Sequence, residues 1–180
     1  MPVRRVLKYP KDEARLRKPS TAVKRIDNSI KNLIKDLKDT LATEEGAGLA
    51  APQIGEHQRV VLVRFGQDQG EMQPPLTLIN PVITEKGPLV KSFDGCLSLP
   101  KIFTWDALRP SWLEFTATGE DGEPIAMRVE GADAAVVDHE VDHLDGVFFL
   151  DRLDKDAKLY FARTDENGKE KLVLLPALPS

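Results

Sequence analysis

The chain has one cysteine, Cys96, among its 180 residues, with three histidines, two tryptophans and two tyrosines. A lone thiol closes no intramolecular disulfide, which excludes a disulfide-stapled scaffold and leaves Cys96 buried and inert, reactive, or bound to a metal. Long apolar runs are also missing: none exceeds the length of the one near Leu172 to Leu175, far short of the ~20 residues of a membrane-spanning helix. Met1-Pro2-Val3-Arg4-Arg5 has no apolar signal core, and Asp12 and Glu13 are unlike an acid-poor transit peptide, so a cytoplasmic address and no membrane partner are expected. Neither sign of charge dominates. The net charge is −4, which speaks against a dedicated nucleic-acid site, although residues 1–31 hold ten Lys/Arg against three Asp/Glu, read first as a solvated face. Internal repeats and low-complexity tracts are absent as well.

What is present is an ordinary globular composition, 41% hydrophobic and 30% charged. A chain of this length can bury roughly 70% of its unfolded surface, so one domain over 1–180 is expected, with an irregular arm at 1–20 (Pro2, Pro10, Pro19) and a divergent tail at 151–180. Val23, Ile26, Ile30, Leu33, Ile34, Leu37 and Leu41 step by three or four, which predicts an amphipathic helix over 22–42. Gly46 to Gln53 then breaks the period and reads as a loop of small residues. β-branched runs at Arg59–Arg64 and Leu76–Glu85 predict strands, as do Leu113–Thr118 and Pro124–Val129 flanking a turn at Asp121-Gly122. Residues 132–145 return to helical spacing, with Ala132, Ala135, Val136, His139 and His143 on one face and Gly146 placed to end the helix. A last hairpin is expected around Asn167-Gly168. The order of elements implies an α+β fold, mixed or antiparallel sheets around one inserted helix.

That helix carries His139-Glu140-Val141-Asp142-His143. Residues four apart lie one turn apart, so both imidazoles can reach one ion, while Glu140, rotated by about 100°, can address a water without binding the metal. Three His and thirteen Glu give only about 0.004 chance occurrences of H-E-x-x-H in such a chain; two satisfied core histidines are the plainer reading. Two histidines leave a catalytic site one ligand short, and Cys96, His57 and the carboxylates are the candidates. A buried inert thiol and a nucleophilic Cys96 activated by histidine are the competing readings, the second leaving the His pair and Glu140 without a role.

Three segments in order, Gly46-Ala47-Gly48-Leu49-Ala50-Ala51-Pro52-Gln53, Gly95-Cys96-Leu97-Ser98 and His139 to Gly146, resemble the signature motifs of the peptide deformylases. Val6-Leu7-Lys8-Tyr9-Pro10 with Leu16-Arg17, and Gly146-Val147-Phe148-Phe149, extend the likeness over most of the first 152 residues. The resemblance implies an enzyme that removes formyl from N-terminal formyl-methionine of newly made polypeptides, with Cys96, His139 and His143 binding Fe(II), or Zn, Ni or Co in a purified sample. It implies Glu140 as general base and then proton donor, and Gln53 with the backbone N–H of Leu97 as donors to the developing oxyanion. It further implies that Gly46, Ala47, Gly48 and Leu49 pair with the extended peptide, and that Leu97, Val136 and His139 border the methionine pocket. Another H-E-x-x-H metallopeptidase and a catalytically silent module that holds nascent peptides are the alternatives. Four features depart from the family: Asp94 where Glu is usual, Asp138 where Gln is usual, no evident arginine after Pro100 but Lys101-Ile102-Phe103-Thr104-Trp105-Asp106 instead, and a tail with six basic and six acidic residues. That tail is unlike the basic helix by which many bacterial members dock at the ribosome.

Overall fold

The computed structural model describes residues 3–66, 70, 73–164 and 168–176; Met1, Pro2 and Asn167, named above, lie outside them. Two antiparallel sheets and three helices make up the described fold. The first sheet has the order β1 (Gly48–Ala50), β2 (Val60–Val63), β3 (Leu76–Lys86), β6 (Trp112–Thr118) and β7 (Pro124–Glu130); the second runs β4 (Leu89–Cys96), β5 (Leu99–Pro110), β8 (Leu159–Thr164) and β9 (Glu170–Leu175). The helices are α1 (Glu13–Leu16), α2 (Asn28–Leu41) and α3 (Gly131–Leu144).

The run Val60-Val61-Leu62-Val63 is apolar throughout because β2 is covered on both faces. Val60 and Leu62 pack with Leu37 and Leu41 of α2, and Val61 and Val63 with Ala134, Val137 and Leu144 of α3. A third cluster, Leu7, Leu16, Leu99, Phe148 and Phe149, lines the inner side of the second sheet. Helix α3 therefore sits between the two sheets, buried around most of its circumference, including His139, Glu140 and His143.

Several expectations need correction. The helix foreseen over 22–42 starts only at Asn28. The Asp27 side chain accepts from the backbone N–H of Ser29 and Ile30 at 3.0 and 3.2 Å, capping the first turn. Upstream, Val23 is held extended by Asn80, whose Oδ1 accepts from Val23 N and whose Nδ2 donates to Val23 O, each at 2.8 Å. Val23 and Ile26 thus join the same core from a non-helical segment. Asp27→Ala should lower stability by about 1 kcal/mol, read as a shift of the urea midpoint at unchanged slope; a change below about 0.3 kcal/mol would remove the cap from the account of this helix.

The stretch read as a loop at Gly46–Gln53 contains strand β1 followed by a 3-10 turn, Ala51–Ile54. The arm at 1–20 includes α1. Strands β4 and β5 have no counterpart in the sequence reading, because Gly95, Pro100 and the charged residues among them mask the alternation. The C-terminal hairpin does form, between β8 and β9.

Candidate active site

The three segments singled out by residue type meet at one place. Leu97 and Ser98 form the turn between β4 and β5, with Cys96 paired to Leu99, so the sulfur sits at the end of a hairpin. From α3, His139 and His143 project one turn apart. Cys96 Sγ lies 3.1 Å from His143 Nε2, the two Nε2 atoms are 3.1 Å apart, and all three donor atoms fall within 4.8 Å of one another. A tetrahedral site with these donors has spacings of roughly 3.3–3.6 Å, which the two 3.1 Å pairs reach by shifts of a few tenths of an ångström. His57, the other histidine, stands apart, its Nε2 on the carbonyl of Arg15 at 2.9 Å, so it is not the third partner.

Electrostatics prepare the same point for a cation. The imidazoles titrate in opposite directions. Burial works against the charged form of His139, but the Asp94 carboxylate outweighs it and raises that pKa; burial and then the neighbouring charge of His139 hold His143 well below its ordinary range. The buried cluster thus favours one positive charge beside a sulfur, a place that a divalent ion fills by displacing the proton.

Glu140 is 4% exposed and, among the described residues, its Oε2 has no hydrogen-bond partner. Burial pushes its carboxyl up to about 7. A buried oxygen of this kind has an unmet demand for a donor, which a water shared with a metal would supply. The donor set and this orphaned atom together fit a catalytic divalent metal held by one sulfur and two imidazoles. Gly48 is required for this geometry, since a Cβ there would come within 2.7 Å of Glu140 Cδ.

Gln53 is 1% exposed and fixed at both ends of its amide. Its Oε1 accepts from Ala50 N at 2.8 Å, while Nε2 approaches Ser98 Oγ at 3.2 Å and Cys96 Sγ at 3.5 Å. The amide donor therefore points at the cluster. Leu97 packs its side chain against Gly46, with a Cβ there meeting Leu97 Cδ1 at 3.0 Å. In the β1–β2 pairing, Ala47 O accepts from Arg64 N at 2.7 Å, so by antiparallel alternation the N–H and C=O of Gly48 point to the open edge of the sheet. Val136 is half-buried on α3 and packs in the core cluster beneath that edge.

The supporting shell holds what the sequence does not reveal. Asp94, shorter than the usual glutamate, still reaches His139 Nδ1 at 2.7 Å. Its other oxygen takes Arg109 Nε at 2.7 Å, and Arg109 Nη1 also reaches Asp138 at 2.7 Å and Asp142 at 2.6 Å. Arg109 is fully buried. Lys86 meets Asp138 at 2.6 Å and Arg152 meets Asp142 at 2.7 Å, so three cations balance three carboxylates. Burial acts to raise the Asp94 carboxyl, and His139 and then Arg109 overcome it, leaving the group ionised. The stretch after Pro100 thus does supply an arginine, nine residues on, and the charge at Asp138 is spent on it. Nothing local marks Arg109; its partners lie 15 to 33 residues away.

The N-terminal arm ties the pieces together. Leu7 N donates to Gln53 O at 2.7 Å, Tyr9 N to Ser98 O at 2.9 Å, and Lys8 Nζ to Leu97 O at 2.6 Å. Ser20 N donates to Leu144 O at 2.7 Å, at the end of α3. At the helix's exit Gly146 has φ +72°, and a side chain there would strike the Arg17 carbonyl.

Comparison with known proteins points one way. The family model for polypeptide deformylase matches residues 3–159. Among curated relatives, peptide deformylase 1 of Bacillus subtilis is 36% identical over 155 residues, covering 86% of this chain and 92% of its own. The peptide deformylase of a Synechocystis strain is 39% identical over 140 residues, 77% of this chain and 74% of its own. The crystal structure of peptide deformylase from Thermotoga maritima superposes with a TM-score of 0.76 at 32% identity, covering 86% of this chain and 99% of that one.

Proposed function

The chain belongs to the polypeptide deformylase family, and from that premise we propose that it hydrolyses the formamide of N-terminal formyl-methionine on newly made polypeptides, releasing formate and a free α-amine. The observation that carries this is the buried, unpartnered Oε2 of Glu140 beside the Cys96, His139 and His143 donors. Cys96, His139 and His143 would hold the metal, taken as Fe(II) in the cell with Zn, Ni or Co accepted by the same donors, and the ion supplies Lewis acidity that brings the pKa of a water from 15.7 toward ~7.

The rest follows from this chain's own groups. Glu140, with its carboxyl near neutrality, accepts the proton of the attacking water and returns it to the departing nitrogen, so one carboxylate serves both halves of the reaction. Gln53 Nε2 and the N–H of Leu97 donate to the formyl oxygen as it gains charge. Because the Gln53 amide is anchored through Oε1, that donor is preorganised and needs no reorientation. The open edge of β1, from Gly46 to Leu49, pairs with the substrate backbone, and the methionine side chain enters between Leu97, Val136 and His139. Asp94 holds His139 in the tautomer that leaves Nε2 free to ligate. A cytoplasmic site of action belongs to this proposal. Docking at the ribosome through a basic helix does not, because residues 159–164 and 170–175 form a hairpin.

The test is formate release from formyl-Met-Ala-Ser, with unformylated Met-Ala-Ser as the comparison, on protein purified anaerobically and assayed for metal. Formate from the first peptide and no cleavage of the second is expected; the reverse would make the chain a peptidase. Cys96→Ala should bind metal at least tenfold more weakly after dialysis against a chelator. Retention of near-stoichiometric metal in that variant would move the third ligand elsewhere.

A further inference from the structure

Phe93, Phe103 and Trp105 have no part in the chemistry above, yet they form a continuous apolar surface that begins at Phe93, three residues before the cluster's cysteine. Ring centroids are 5.7 Å apart for Phe93–Phe103, 5.3 Å for Phe103–Trp105 and 5.8 Å for Phe93–Trp105, and Tyr160 of β8 closes the far side at 5.1 Å from Trp105. Packing alone does not account for them. Phe93 is 57% and Trp105 46% exposed, leaving two large rings substantially in water.

Their position relative to the substrate track is defined by strand geometry. Asp94 points inward to Arg109 and His139, while Phe93, at the register shift between Ser92 and Asp94, is exposed and sets its ring against Phe103 and Trp105 on the outer side. A Cβ at Gly95 would lie 3.3 Å from Phe103 Cβ and 3.9 Å from Phe93 Cζ, which makes Gly95 a gap flanked by the two rings. β4 is the outer strand of its sheet and β1 the outer strand of the other, and Leu97 touching Gly46 brings the two edges together at the cluster. A peptide extended along β1 with its methionine side chain turned toward α3 turns its next side chain to the opposite face, over Gly95.

We propose that this aromatic ledge receives the side chain of the residue that follows formyl-methionine, and makes the enzyme favour apolar second residues. The proposal rests on the deformylase reading and deepens it. Its occupant is a substrate side chain rather than a separate protein, because the surface is continuous with the substrate edge.

The test compares kcat/KM for formyl-Met-Leu-Ser and formyl-Met-Ser-Ser. A leucine laid on a ledge open on one side gains about half of a full burial, so the leucine peptide should be favoured by roughly 5- to 10-fold, chiefly in KM. Phe93→Ser and Trp105→Ser, both at exposed positions, should each bring that ratio near one. A binding readout stands beside it: in a Glu140→Gln, Trp112→Phe chain, whose only tryptophan is Trp105, the emission should shift to the blue with the leucine peptide and stay put with the serine peptide. Equal constants for the two peptides in the unaltered chain, or a ratio that survives both substitutions, overturns the proposal. So does self-association that the substitutions abolish while the ratio stays fixed, since a second copy then owns the surface. Should neither peptide release formate, the deformylase reading fails, and the emission shift still decides whether the ledge receives the side chain.

Discussion

Glu140→Gln is expected to lower kcat by about 10²–10⁴ while the chain keeps its metal and its fold. The carboxyl is not one of the three donor groups, so replacing one oxygen by nitrogen leaves Cys96, His139 and His143 in place. What is lost is the capacity to take and return a proton at the buried, unpartnered Oε2 beside the three donor groups. An amide there has no titratable group near neutrality, whereas burial has raised the carboxyl to about 7, where both its forms are accessible. The measurement is single-turnover formate release on protein of known metal content. Activity within tenfold of the unaltered enzyme would remove Glu140 from the proton path and shift attention to His143 or to solvent.

Arg109→Leu should destabilise the protein by about 3–5 kcal/mol, the usual consequence of stripping a buried ionic cluster of its central partner. Asp94, Asp138 and Asp142 would remain buried around an apolar side chain, each losing a charge-assisted bond of 2.6–2.7 Å. Lys86 and Arg152 compensate only the latter two, through Asp138 and Asp142. Since domains of this size are stable by about 5–15 kcal/mol, such a variant approaches the unfolding threshold. Metal affinity should fall as well, by about 10- to 100-fold, because Asp94 would no longer be braced against His139 Nδ1. Urea denaturation of metal-free protein gives the first number and a chelator titration the second. Asp138→Asn in the same chain should recover part of the loss, a coupling that a simple packing defect would not produce. A destabilisation under 1 kcal/mol would show that water, rather than Arg109, satisfies these carboxylates.

How much of this was readable beforehand varies element by element. The β2 and β3 runs, the β6–β7 hairpin and α3 follow from period and turn chemistry, since each is a local property of consecutive residues. The start of the N-terminal helix is not legible because Val23 and Ile26 keep helical spacing while contributing to the core from a non-helical segment, with Val23 tied down by Asn80, 57 residues away. β1 is hidden by its length and composition: Gly48, Leu49 and Ala50 form a strand only because β2 offers a pairing edge and α3 a surface to lie on. Strands β4 and β5 were lost to a bulged register that disrupts the two-residue alternation.

Residue types and their order determined which chemistry this chain carries: a sulfur, two imidazoles one helical turn apart, an acid beside them and an amide in a stretch of small residues, because reactive character belongs to side chains and helical spacing is local. Only the folded arrangement decided that the sulfur of a hairpin turn reaches those rings, that Arg109 bridges three acids drawn from two elements, and that Phe93 and Trp105 lie exposed around Phe103. Those are distances between segments 15 to more than 40 residues apart, set by packing of the whole molecule, and nothing in a local window encodes them.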